Sequence, residues 1–368
     1  MTKRFIINGD GLTIAHGVGV HRYAAEILKR MDVLLAENTM LAEKEIEVWL
    51  LIPENKECKY EFQNIIVKKY GLQKEGTIGK NLWQQVCFPR FVKQNNGIGV
   101  DLTLAIPMRN CKYVAIHDCI VELFPENYPS LRGKIMRQFY MIRVKAVVRR
   151  KAKIITVSEN SKKDICRLYH VNPHQITVIG NGWEHMKNVV TDDALLETLG
   201  LEKEKFFFAL GSKYKHKNNA WVIEAAGYNP GYKFVISGSS FEPETEEEGK
   251  QGLPENVIFT GYLDDMEIKT LMTHARAFLQ PSFCEGFGIP PMEALCLGAK
   301  IIVANASCLP EIYEGSAFYI DPNDGKVNLD SLLKTETSEM AKQREIVLEK
   351  HTWQNSAEKM LQLFLEEK

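Results

Sequence analysis

Ser282-Phe-Cys-Glu285-Gly286-Phe287-Gly288-Ile289-Pro-Pro-Met-Glu293-Ala-Leu-Cys-Leu-Gly298 is the stretch that decides how the rest of the chain is read. An apolar strand, Ala277-Phe-Leu-Gln280, precedes it, and a helix opens at Pro290-Pro291. Proline suits a first helical turn, where its missing N–H has no intrahelical role. The dipole and unpaired amides of such a turn favour anions. Gly286 and Gly288 let a ligand approach the backbone closely. Glu285 and Glu293 flank the loop and can accept hydrogen bonds from hydroxyls. Together these features suit a polyhydroxylated phosphate such as a sugar nucleotide. The plainer alternative is a strand–turn–helix of a parallel α/β domain with two exposed glutamates.

Outward from this stretch, strands and helices alternate twice. Phe5–Asn8, Glu47–Ile52, Leu102–Ile106, Tyr113–His117 and Ile154–Val157 read as a first set of strands, with a helix from about Val20 to Leu35. Phe206–Leu210, Tyr232–Ile236, Val257–Phe259, Ala277–Gln280 and Lys300–Val303 form a second set. Continuous apolar runs of this kind predict parallel sheets covered on both faces. A chain of 368 residues, 45% hydrophobic, is long enough for two cores, and the boundary is placed near Asn181-Gly182-Trp183.

Composition narrows the class. Lys and Arg number 46 against 47 Asp and Glu, a formal net charge of −1, so no nucleic-acid partner is expected. The start, Met1-Thr-Lys-Arg-Phe-Ile-Ile, lacks the apolar run of a signal peptide. No uncharged apolar stretch reaches the roughly 18 residues that would span a bilayer. Eight scattered cysteines without a Cys-x-x-Cys pair read as thiols of a reducing cytosol. Asp264-Asp265 and Asp192-Asp193 read as acids at helix starts, not metal ligands. The acidic stretch Glu242–Glu248 reads as a solvated loop.

Two glutamates with seven residues between them, enclosing Gly-Phe-Gly-Ile-Pro-Pro and followed by Ala-Leu-x-x-Gly, resemble the signature of retaining glycosyltransferase family 4. Ser307-Cys-Leu-Pro310-Glu311 and Ile320-Asp321-Pro322 are similar to that family's next loop and strand. The resemblance covers almost the whole chain and is strongest over 205–322. It implies an α/β fold of the GT-B type, with two facing Rossmann-like domains. Residues 1–182 would form the acceptor side, completed by a C-terminal helix, 352–368, that crosses back to it. Residues 183–351 would form the nucleotide-sugar donor side. The implied activity is metal-independent transfer of a hexose, without a cofactor, from a nucleoside-diphosphate sugar to a glycan or lipid-linked saccharide. The implied setting is bacterial surface polysaccharide or lipopolysaccharide assembly, in the cytoplasm or at the inner face of the plasma membrane. Alternatives are an epimerase or phosphorylase on the same architecture, or a silent module that binds glycan or nucleotide.

The resemblance also implies roles for single residues. Gly17 and Gly19, in Gly-x-Gly-x-x-Arg22-Tyr23, match a loop that closes over donor phosphates or faces the acceptor. Gly19 equally suits a turn that needs glycine dihedrals, while for Gly17 the functional reading is preferred. Arg22 stands where a dinucleotide fingerprint has its third glycine, so that reading fails. His117 matches the histidine beside the donor sugar, while Asp118 is expected to cap the next segment or orient His117. Lys217, in Gly211-Ser212-Lys-Tyr-Lys-His-Lys217-Asn, matches the lysine that pairs with the diphosphate. Ser212 departs from the family's arginine, and Lys213 or Lys215 would have to replace it. Glu285 would lie near the transferred sugar, within a donor loop of Gly286, Phe287, Gly288 and Ile289. Glu293 would bond the ribose hydroxyls.

Residues 131–153 hold nine Lys or Arg and no acid. Ile135, Phe139, Ile142 and Ala146 fall on one helical stripe suited to a core. The segment reads either as a solvated domain helix or as a surface drawn to an anionic leaflet, near a lipid-linked acceptor.

Overall fold

The structure, a computed structural model, describes residues 2–14, 19–37, 46–238 and 252–367. Gly17 and Glu242–Glu248 lie outside the described residues. The chain divides into two compact units, residues 1–181 with 352–368, and residues 182–351.

Seven parallel strands build the first unit: β1 (Lys3–Asn8), β2 (Ile46–Ile52), β3 (Ile66–Lys69), β4 (Ile98–Asp101), β5 (Tyr113–Ala115), β6 (Lys153–Thr156) and β7 (Ile176–Val178). Their order is β3-β2-β1-β4-β5-β6-β7. Phe5 is opposite Val48 on one side and Ile98 on the other. The first long helix, α1 (Gly19–Glu37), buries Tyr23, Ala24, Ile27, Leu28 and Met31. The last helix, α7 (Trp353–Leu365), belongs to this unit and packs on α1. Phe364 stacks on Phe5 at 3.9 Å between ring centroids, and Trp353 meets Tyr23 edge-on. Glu367, buried just beyond α7, accepts from Lys112, Tyr113 and Lys153.

Two expectations for this unit are corrected. Leu102–Ile106 is not a strand; β4 ends at Asp101, and Leu104 and Ile106 take positive φ. The buried Asp101 carboxylate explains the turn. It accepts from the Ile106 amide at 2.8 Å, the Thr103 hydroxyl at 3.2 Å and Asn8 at 3.0 Å, winding the chain around itself. The basic helix exists as α3 (Leu131–Arg149), but it faces the other way. Val144 and Val147 enter the core with Tyr140 and Val148 alongside, whereas Ile135, Phe139 and Ile142 are about half exposed, at 48%, 57% and 54%. Arginines set this rotation by reaching inward to carbonyls. Arg137 donates to Val121 O, and Arg150 to Cys111 O. Arg143 donates to Asn81 Oδ1 of α2 (Gly76–Leu82).

Six parallel strands form the second unit: β8 (Phe206–Leu210), β9 (Lys233–Ser237), β10 (Val257–Gly261), β11 (Ala277–Gln280), β12 (Ile301–Ala304) and β13 (Phe318–Ile320), in the order β10-β9-β8-β11-β12-β13. β8, β9, β11 and β12 are almost wholly buried, as their largely apolar sequences predict. Strand order reverses between β8 and β11, which pair directly, Phe278 opposite Phe208. Ligands of open parallel sheets collect at the carboxyl end of such a reversal. Around this sheet lie α4 (Asp265–His274), α5 (Ile289–Cys296) and α6 (Ser338–Lys350).

Candidate functional site

Two loops leave the carboxyl ends of the paired strands β8 and β11, and they are tied together. After β8, Gly211 allows a close backbone approach: a Cβ there would stand 2.7 Å from Ser237 O and 2.5 Å from Ile236 Cγ2. The Asn219 side chain clasps both amide and carbonyl of Ser212. Asn218, in the left-handed region at φ 60°, turns its Nδ2 to Pro281 O at 3.0 Å and Pro322 O at 2.8 Å. The Phe283 amide bonds His216 O at 2.8 Å. Lys217 is thereby aimed at the β11 loop, where its Nζ lies 2.7 Å from Glu285 Oε1.

Glu285 is 8% exposed. Burial alone would raise its pKa, but the Lys217 ammonium and a bond from Ser282 outweigh burial and hold it below the ordinary value. Gln280 Nε2 also donates to Glu285 Oε1, at 2.6 Å. The Glu285 backbone is fixed by Ser307, whose hydroxyl donates to the Glu285 carbonyl at 3.0 Å. The rest of the loop is equally constrained. Gly286, Phe287 and Gly288 are buried, and the Phe287 ring meets His351 edge-on. Gly288 takes φ +82°, and a Cβ there would come 2.8 Å from Leu309 Cδ2, so glycine is required twice over.

The start of α5 offers fewer amides than an ordinary helix. Pro290 and Pro291 carry no N–H, and the Met292 amide is engaged by Tyr313. The Tyr313 hydroxyl in turn donates to Gly288 O. Of the first four helical residues this leaves Ile289 to offer an amide hydrogen, beside the helix dipole and the Lys217 charge. One turn further in, Glu293 is 3% exposed, and His185 Nε2 lies 2.7 Å from its Oε1. His185 carries none of the motif resemblances that marked the other residues; it lies 108 positions from its partner. Lys213 and Lys215, named as substitutes for the family's arginine, are exposed, Lys213 with its ammonium 5.8 Å from the Tyr214 ring.

Lys217, Glu285, Gly211, Ser212 and the 286–293 segment thus gather at one edge of the second sheet. The first unit holds the other two described candidates. His117 follows β5 and is 6% exposed, with Nε2 donating to Leu102 O at 3.2 Å and Tyr23 against its ring at 4.6 Å. Burial lowers its pKa to about 4, only partly offset by the Leu102 bond, so the ring is neutral with Nδ1 as the acceptor. Asp118 Oδ1 accepts from the Ile120 amide at 2.9 Å, which makes it a cap. Gly19 is exposed at the first position of α1. Among the described residues, no three His, Cys, Asp or Glu side chains come together as a metal site, and no helix is long and apolar enough to cross a membrane.

Residues 193–351, which contain this loop pair, match the model of the family described as Glycosyl transferases group 1. The match is to that segment, under half of the 368 residues. The chain is similar to the O-antigen chain mannosyltransferase RfbU of Salmonella typhimurium, 27% identical over 225 residues. That alignment spans 60% of this chain and 60% of the relative's length. Its fold is that of sucrose-phosphate synthase from Thermosynechococcus elongatus, with a TM-score of 0.67 at 17% identity over 99% of this chain and 98% of the other. Anabaena HepE, solved in complex with UDP and glucose, is similar at a TM-score of 0.65 and 16% identity, over 99% of each chain. The expected parallel Rossmann-like sheets, with a C-terminal helix against the N-terminal one, are therefore the architecture of this chain.

Proposed function

We propose that the chain transfers a sugar, with retention of configuration, from a nucleoside-diphosphate sugar to a saccharide or lipid-linked saccharide during assembly of a bacterial surface polysaccharide. The observation that carries this reading is the Lys217 ammonium on the buried Glu285, beside the opening turn of α5. As the glycosidic bond to the diphosphate breaks, negative charge grows on the leaving phosphate. A lysine at about 4 Å, at an effective dielectric of about 20, interacts with such a charge by about 4 kcal/mol. A donor diphosphate competes with Glu285 for Lys217, and the released carboxylate can then hold a sugar hydroxyl. His117, kept neutral with Nε2 donating to Leu102 O, can accept from a hydroxyl at Nδ1 without adding charge. No metal has a role in this scheme, so turnover in a chelator should equal turnover without one. Similarity to a mannosyltransferase makes a mannosyl donor the first to test. The UDP in the HepE complex makes a uridine donor the second.

Titration calorimetry with UDP, GDP, dTDP, ADP and NAD tests the proposal. Selective binding of one nucleoside diphosphate is expected and names the donor class for transfer assays. Preference for NAD, or no diphosphate binding, would overturn it. A saccharide acceptor carried on lipid also accounts for the outward face of the first unit. Leu131, Ile135, Met136, Phe139 and Ile142 of α3 are exposed among basic residues, and Asn81 bonding to Arg143 sets α2 beside them with Ile78 and Leu82 exposed. Such a face suits peripheral contact with an anionic bilayer. Binding to anionic vesicles should weaken but persist in high salt in the wild type, and F139E with I135E should abolish it.

A further inference from the structure

We infer that His185 is a positioning residue for nucleotide recognition, holding the Glu293 carboxylate in the orientation that receives the ribose diol. The inference rests on the proposed donor site and extends it to a residue outside the family signature. Both side chains are almost fully buried, at 8% and 4% exposure, with His185 Nε2 2.7 Å from Glu293 Oε1. An ionised carboxylate can only accept, so Nε2 carries the hydrogen, and the bond fixes both the carboxylate plane and the imidazole tautomer. A charge-assisted bond of this length between buried groups is strong and directional.

His185 is itself held from several sides, which makes it a rigid support. It lies on the short 3-10 helix Glu184–Asn188 that opens the second unit. Lys269, projecting from α4, donates to Met186 O at 2.9 Å and Val189 O at 2.6 Å, pinning that helix at two carbonyls. Trp183, immediately before it, donates from Nε1 to Leu348 O of α6 at 2.9 Å, and Lys187 covers the Trp183 ring. These contacts fasten the His185 backbone to two helices. On the other side, Glu293 is set by α5, whose start is fixed by Tyr313. A diol that bonds Glu293 then meets an acceptor already oriented, and no rotamer has to be frozen on binding.

The test pairs two protein variants with two ligands. UDP, GDP and ADP are titrated into the full chain, and the one that binds is compared with its 2′,3′-dideoxy analogue. Wild type should favour the ribonucleotide by tenfold or more. H185A should bind the ribonucleotide about tenfold more weakly while leaving the dideoxy affinity unchanged, so discrimination collapses. H185Q, which keeps an N–H donor at similar reach, should retain most of it. Equal weakening of both ligands in H185A would assign His185 a structural role and overturn the inference. So would undiminished discrimination in H185A. Failure of wild type to discriminate, or to bind any nucleoside diphosphate, would instead overturn the donor-site reading on which it stands.

Discussion

Lys217 and Glu285 meet as an ion pair at the carboxyl edge of the second sheet, whereas His117, at the same edge of the first, is held neutral by burial. The two sheets share their parallel order and their reversal beside the first strand. Their edges differ in what the side chains do there. In the second unit, a lysine 2.7 Å from the buried Glu285 holds its carboxyl below the ordinary value against the pull of burial, and the Glu293 carboxylate lies 2.7 Å from an imidazole nitrogen. In the first, burial raises Asp101 and lowers His117, and backbone amides and carbonyls satisfy them. Topology makes the two edges alike, and local pairing decides whether the buried side chains there are charged or neutral.

The largest expected effect is at the charged edge. K217A should lower sugar-transfer turnover by roughly 100- to 1000-fold, the scale seen when a preorganised stabiliser of developing charge is removed. Retention of near-wild-type turnover would erase the contrast between the edges. The next bears on the neutral edge. The folded-state pKa of His117, about 4, lies below its ordinary 6.5. Its neutral burial therefore contributes fully above pH 6.5, and that contribution is lost as the pH falls toward 4. The whole contribution is about 3 kcal/mol. Urea unfolding at pH 7 and pH 4.5 should show a smaller pH difference in H117Q than in wild type; identical differences would mean His117 is not desolvated. E293A should weaken nucleotide binding about ten- to a hundredfold by calorimetry, since a hydrogen bond to a charged group contributes roughly 1.5–3 kcal/mol.

The smallest effect lies away from both edges. Burial pushes the Glu367 carboxyl up, but bonds from Lys112, Tyr113 and Lys153 outweigh it and leave it at about 2. Its stabilising contribution is present above pH 4.5 and disappears as the pH falls through about 2. E367Q should cost about 1–2 kcal/mol at pH 7, because the two lysines are half exposed and can turn to water. Denaturant titration measures it, and an unchanged midpoint would make the cluster energetically idle.

The strands of the second unit were legible because a strand buried on both faces reads as a near-continuous apolar run, as Phe206–Leu210 and Ile301–Ala304 do. The same rule misread Leu102–Ile106, where five residues of strand-like composition are wound around one carboxylate that precedes them. It also passed over β3, whose Ile66-Val67-Lys68-Lys69 is partly exposed at the sheet edge, and β7, only three residues long. In α3 the arginines looked solvated and the apolar stripe looked inward. Carbonyls of neighbouring loops, unreadable from sequence, reversed both. The glutamate loop stood out through spacing and residue type, and Lys217 through its resemblance to a family element. Their coupling did not, because Lys217–Glu285 and His185–Glu293 span 68 and 108 positions and exist only once the sheet has formed.

Residues 352–368 complete a unit whose other residues are 1–181, with the whole second unit encoded between them. At about 5–20 residues per second, a ribosome needs roughly ten to thirty seconds to make that intervening stretch. Throughout that time the surface that will receive Trp353, Met360 and Phe364, with Phe5 and Tyr23 in it, has no helix upon it. The unit translated first is thus the last to close. A nascent chain that stalls before residue 352 presents an apolar groove on its oldest part, where chaperones and proteases recognise unfinished protein.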